Sequence, residues 1–250
     1  MVTGSLTHFI FLAVSIVFLV GTSFAVNKMP KKWQNVMFII AVVIGSGGLF
    51  FRYAMNCSFD GTLRIDTLFI QTLQVCNFNF ILLPLMLVPK FKLARQYSVY
   101  FAMFAASTTM FSFPKSYAVY NWYDIEVINF WCNHVFAVAL PLWMMCAKRL
   151  YPDRKYIVKV TICVVLYFTL VFALTEWFMA VGILPKGSSF SYVHDPKGMP
   201  IITTLYELIG GPYVHLLPLF PVIVGFFYLW SLPFNKNKST KTKKTKSNKA

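Results

Sequence analysis

Long apolar stretches separated by short polar connections set the pattern of this chain. They run over 6–26, 34–53, 67–89, 96–113, 125–147, 156–180 and 203–230. At about 1.5 Å per residue, a helix of that length reaches across roughly 30 Å of hydrocarbon. Within lipid only a helix or a closed barrel satisfies its own backbone polar groups, and runs of this length are helical in kind. The pattern therefore predicts an all-α, polytopic membrane helical bundle of about seven transmembrane helices, occupying 1–234. The stretch 96–113 is the shortest, and Pro212, Pro218 and Pro221 are placed to bend the last one. The first stretch has no basic segment before it and no good small-x-small cleavage site, so it reads as a span and not as a leader. No internal repeat and no inverted pair of interrupted spans marks a transporter fold.

The charged residues give these spans a direction. Lys28, Lys31 and Lys32 follow the first stretch, Lys90, Lys92 and Arg95 the third, and Lys148, Arg149, Arg154 and Lys155 the fifth, with Lys159 just beyond. The opposite connections hold Arg52, Arg64, Lys115, Lys186 and Lys197. Basic connections stay in the cytoplasm, so the alternation predicts an N-terminus outside and a C-terminus in the cytoplasm. The segment 235–250, NKNKSTKTKKTKSNKA, has no apolar residue before its last alanine and reads as a disordered Lys-rich cytoplasmic tail able to rest on anionic lipid headgroups.

Composition agrees. Hydrophobic residues make up 58% and charged residues 12%, with a mean hydropathy of +0.63, so the chain cannot cover itself with polar surface. A net charge of +15 would suggest nucleic acid in a soluble protein, but here the cations sit between apolar segments and in the tail, and membrane lipids are the expected partners. Cys57, Cys76, Cys132, Cys146 and Cys163 form no CxxC and no disulfide framework. The localisation this implies is a cell membrane.

Polar side chains in hydrocarbon are costly, so their depth is informative. With spans three and five entering near Thr67 and Ile125, Cys76 and His134 each lie nine residues in, at about 14 Å. The same outer half holds His8, Asn77, Asn79, Asn129, Asn133, Glu176 and, deeper, His215, together with the run Ser107, Thr108, Thr109. This predicts a polar pocket open toward the outer leaflet. A Cys and a His at one level are the minimum for nucleophilic acyl transfer: the imidazole takes the thiol proton and the thiolate attacks an ester carbonyl. Asn77, Asn79 and Asn133 are candidate oxyanion donors, and Asn129, Glu176 or His215 could orient the imidazole. The pattern also admits a small-molecule transporter or binding protein whose pocket holds a solute, with Cys76 a packing residue, or a purely structural membrane partner. No two of these histidines stand at ligand spacing on one helix, so no metal and no cofactor is expected.

Several motifs resemble one family. Leu73–Pro89, LQVCNFNFILLPLMLVP, the run FWCNHVFAVALPLWM around His134, Thr7 and His8 at the head of the first span, and Tyr151–Pro152 before the sixth are similar to the YwaF-type bacterial integral membrane proteins, relatives of the animal transmembrane protein 164 family. SYVHDPKG, GPYVHLLPLF and the final LPF at Leu232–Phe234 extend the likeness over nearly the whole chain to Phe234. The resemblance implies a phospholipid acyltransferase using a Cys on one span and a His on another, which fall here on Cys76 and His134. This chain departs from the bacterial pattern in having LQVC where LPLxLC is usual, and Phe190, Ser191 and Tyr192 where an Asn-Tyr pair is usual.

Overall fold

The computed structural model describes residues 3–60, 72–113, 119–194 and 200–247, with side chains placed up to Phe51 in the first segment and from Ile202 to Phe234 in the last. All regular structure in these residues is helical: α1 (Leu6–Lys28), α2 (Lys31–Asp60), α3 (Val75–Met86), α4 (Lys92–Tyr97), a π-helical stretch (Ser98–Ala102), α5 (Met103–Phe111), α6 (Ile125–Cys146), α7 (Ile157–Ala180), α8 (Pro200–Ile209) and α9 (Leu219–Ser247). Among the described residues, five segments are long and apolar enough to cross a membrane: Leu6–Lys28, Lys31–Phe51, Ile125–Cys146, Arg154–Ala180 and Val214–Phe234.

Two expected elements differ from the periodicity. The third stretch was expected as one helix over 67–89, but α3 begins only at Val75 and spans 12 residues. Residues 67–71 lie outside those described, and the chain is unwound at Leu73 and Gln74. The cause is local: Ser191 and Tyr167 take up the Leu73 carbonyl, so the backbone there is satisfied without helical bonds. In the fourth stretch, α4, the π turn and α5 form one continuous helix from Lys92 to Phe111. The backbone of α9 runs on to Ser247. No Pro or Gly follows Pro233, and Lys ranks among the better helix formers.

Hydrogen bonds between elements fix how the helices run. At one end, Arg95 Nη2 donates to the Arg149 carbonyl at 2.8 Å and Gln96 Nε2 to the Tyr151 carbonyl at 2.9 Å. Arg149 also reaches Asn35 Oδ1 and the Lys31 carbonyl, and Arg154 Nε donates to Ser231 Oγ. The connections after α1, α3 and α6 therefore gather there with the latter half of α9. At the other end, Thr3 and His8 bond the carbonyls of Phe113 and Met110, joining the start of α1 to the end of α5. So α1, α3, α6 and α9 run one way, and α2, the α4–α5 helix and α7 run the other.

α6 is the axis of the bundle. It is the least hydrophobic of the five long helices and by far the most enclosed, with 61% of its apolar window buried against 17–33% for the others. A helix surrounded by protein can carry Asn and His, whereas lipid-facing helices cannot. Its closest partner is α2, where Gly45 and Gly48 leave room for backbone approach. A Cβ at Gly45 would meet Leu83 Cδ1 at 2.8 Å, and one at Gly48 would collide with the side-chain oxygens of both Asn129 and Asn133. α3 lies at the seam of two apolar clusters: Phe80, Leu83 and Met86 pack toward α1, α2 and α6, while Val75, Phe78 and Leu82 pack toward α7 and α9.

Candidate functional site

The break before α3 puts Cys76 in the first turn of that helix, not midway along a continuous span. Cys76 thus lies at the end of α3 that carries the free backbone N–H groups and the positive pole of the helix dipole. The cap comes from far along the chain. Gln74 occupies the cap position but its side chain makes no capping bond to the helix, and Ser191 Oγ accepts from Val75 N at 2.9 Å. Ser191 Oγ also donates to the Leu73 carbonyl at 2.5 Å, where Tyr167 OH donates at 2.8 Å.

Cys76 is half-buried, and its Sγ lies 3.4 Å from Thr109 Oγ1. The Thr109 hydroxyl spends its proton on the Ala105 carbonyl at 2.8 Å, so the thiol is the donor of that pair. Tyr167 bonds the Leu73 carbonyl three residues before Cys76, and Tyr97 bonds Asn79 three residues after it.

One turn along, Phe80 meets the ring of His134 edge-on, with centroids 5.2 Å apart. His134 is 4% exposed, and its Nδ1 lies 2.7 Å from the Phe130 carbonyl one turn back on α6. A carbonyl only accepts, so Nδ1 carries the proton and Nε2 presents its lone pair. That Nε2 is buried and has no hydrogen-bond partner among the described residues. The group that orients His134 is thus its own helix's carbonyl, not Asn129, Glu176 or His215.

Asn79 is 1% exposed and shares a face with Cys76, three residues on. Tyr97 OH donates to its Oδ1 at 3.0 Å, which fixes the amide and leaves the buried Nδ2 without a partner among the described residues. Asn77 lies in the same first turn as Cys76, half-buried.

The remaining candidates are committed elsewhere. His8 accepts from Gly4 N at Nδ1 and donates from Nε2 to the Met110 carbonyl, so both ring nitrogens are used in tying α1 to α5. Asn129 Nδ2 donates to the Gly48 carbonyl, and Asn133 packs its Oδ1 over the same glycine, so this pair faces α2. Glu176 is exposed and pairs with His194 Nε2 at 2.7 Å. His215 is fully buried between the carbonyls of Gly211 at 3.1 Å and Tyr192 at 2.9 Å, and so anchors the loop after α7. No group of three or more metal-ligating side chains occurs among the described residues.

The structure thus brings Cys76, Asn79 and His134 to neighbouring turns of two packed helices and adds Thr109, Ser191 and Tyr167. Thr109 belonged to the polar run noted in the sequence. Ser191 and Tyr167 come from distant segments and carry no spacing signal. Compared with family models, curated proteins and solved structures, the chain matches none.

Proposed function

We propose that this protein is a membrane-embedded lipid acyltransferase or lipid esterase in which Cys76 is the nucleophile and His134 the general base. The observation that carries it is the buried Nε2 of His134, locked by Phe130 as an acceptor, without a partner among the described residues, and packed against Phe80, which follows Cys76 by one turn of α3. Burying such a lone pair is costly unless something comes to use it.

In the first step a rotation of the Cys76 side chain takes the thiol proton from Thr109 toward His134 Nε2. The thiolate attacks the carbonyl carbon of an acyl ester, and the carbonyl oxygen takes up the electron pair. Asn79 Nδ2, with two unused N–H groups, is placed to donate to that oxygen. The tetrahedral adduct collapses with cleavage of the C–O bond, and the imidazolium returns its proton to the departing lysolipid oxygen. A second hydroxyl compound then takes the acyl group from the thioester by the same steps in reverse.

Around this site we read seven crossings, with α3 and the α4–α5 helix as the third and fourth. The end that gathers Lys31, Arg95, Arg149 and Arg154 faces the cytoplasm, so the thiol opens toward the outer leaflet. The resemblance to the transmembrane protein 164 family points to the same two residues and to a bacterial plasma membrane.

The test is an acyl-enzyme. Purified protein in detergent is incubated with phospholipid bearing a radiolabelled acyl chain, precipitated and treated with neutral hydroxylamine, which cleaves thioesters. Label should appear on the wild-type protein, be released by hydroxylamine, and be absent from Cys76→Ser and His134→Ala. Label that persists in Cys76→Ser, or none on wild type with any common phospholipid class, would refute the reading and leave a solute-binding pocket as the better account.

A further inference from the structure

The loop after α7 ends in a turn whose backbone is costly to make. Val193 N bonds the Phe190 carbonyl at 3.1 Å, and the two residues between them, Ser191 and Tyr192, have φ of 49° and 64°. Positive φ at both central positions belongs to a turn that normally takes Asn and Gly, and a bulky aromatic in the left-handed region is strained. Such strain persists only where the surroundings over-determine it.

Here they do. Ser191 Oγ caps α3 at Val75, Ser191 N donates to Gln74 Oε1 at 3.3 Å, His215 Nε2 donates to the Tyr192 carbonyl, and Tyr213 N donates to the Val193 carbonyl at 2.6 Å. Leu184 and Val193 are buried with Leu73, Tyr167, Phe178 and Leu216, which gives the loop an apolar base of its own. The turn is therefore fixed on the residue that precedes Cys76, which holds the backbone of Tyr192 next to the first turn of α3, at the end of the bundle away from the basic connections.

This bears on acceptor choice and rests on the reading of Cys76 as an acylated nucleophile. We infer that the half-buried Tyr192, whose backbone this turn holds next to the first turn of α3, covers Cys76 and keeps bulk water from the acyl thioester, so that the acyl chain passes to the hydroxyl of a lipid entering sideways and not to water. The chemistry of the two outcomes differs only in the acceptor: a lipid hydroxyl yields a new ester and the free thiol, whereas water yields a fatty acid and the free thiol. Excluding water is what commits such an intermediate to transfer.

Two measurements test it. Full-length protein in phosphatidylethanolamine vesicles labelled in the acyl chain, with lysophosphatidylglycerol as acceptor, is assayed for labelled phosphatidylglycerol against free fatty acid. Wild type and Tyr192→Phe should favour the ester, and Tyr192→Ala should shift label severalfold toward fatty acid while total turnover persists. An unchanged ratio in Tyr192→Ala would overturn the inference. Separately, Cys57, Cys132, Cys146 and Cys163 are replaced by alanine, and labelling of Cys76 by a charged methanethiosulfonate added from outside is timed. Tyr192→Ala should label severalfold faster than wild type, and an equal rate would overturn the cover whether or not any turnover is seen. Absence of both products from wild type, with faster labelling of Tyr192→Ala, would refute the acyltransferase while keeping the cover. Tyr192→Gly repeats each arm, since glycine suits the positive φ and keeps the turn should the alanine variant misfold.

Discussion

His134 illustrates how one backbone contact can prepare a side chain for chemistry. The Phe130 carbonyl decides which nitrogen carries the proton, and the packing of Phe80 and Phe130 against the ring decides where the other nitrogen points. Replacing His134 with Ala should lower acyl-enzyme formation by roughly 10²–10⁴-fold, the usual loss for a general base, measured as the initial rate of hydroxylamine-labile label. Thr109 acts the other way, since it holds the thiol proton in the resting arrangement. Thr109→Val keeps the shape and removes the acceptor, so alkylation of Cys76 by a small maleimide should run roughly 2- to 10-fold faster, the equivalent of one hydrogen bond. At this scale the sequence was informative about residue types and not about partners. Cys76 and His134 stood out because thiol and imidazole are scarce in apolar runs, but nothing in spacing tells that Glu176 belongs to His194 or that His215 belongs to the loop carbonyls. Those pairings depend on contacts far apart in the chain.

Among the elements, the short third helix is the one on which the site depends. Its apolar run reads as an unbroken span from 67, because side-chain hydropathy is blind to where the backbone unwinds. The break at Leu73 and Gln74 exists because Ser191 and Tyr167, 94 or more positions away in sequence, supply the bonds that a helix would have made. Ser191→Ala removes this cap and should destabilise the protein by about 0.5–2 kcal/mol, read as a lower midpoint of thermal aggregation in detergent, and should slow label transfer to Cys76 as the first turn loosens. The long helices were legible for the opposite reason: α1, α2, α6, α7 and α9 need no distant partner to be helical in lipid, and their apolar lengths alone declare them. The π-helical stretch at Ser98–Ala102, which contains the fully buried Tyr100, had no counterpart in the periodicity, since a single widened turn leaves an apolar run apolar.

For the molecule as a whole, charge and packing agree on a direction. The interlocked connections around Arg95, Arg149 and Arg154 are those whose lysines and arginines the positive-inside rule would retain in the cytoplasm. A fluorescent protein fused after Ala250 should glow when the chain is expressed in a bacterium, and alkaline phosphatase fused at the same place should stay inactive; the reverse pair of results would invert the topology. Gly48→Ala is expected to cost about 1–3 kcal/mol, as overpacking does, because its new methyl group would enter the space held by Asn129 and Asn133. Loss of folded protein on size-exclusion chromatography would register it.

The same glycine contact has a bearing on how a lipid could arrive. Where α2 and α6 touch through glycines and amides, the two backbones are wedged into a single strut with no slack to give, so no doorway can form along that flank. Among the described long helices α9 has the smallest enclosed share. On the proposed reading, a bilayer molecule bound for Cys76 would therefore enter past α9, with the strut as a fixed post.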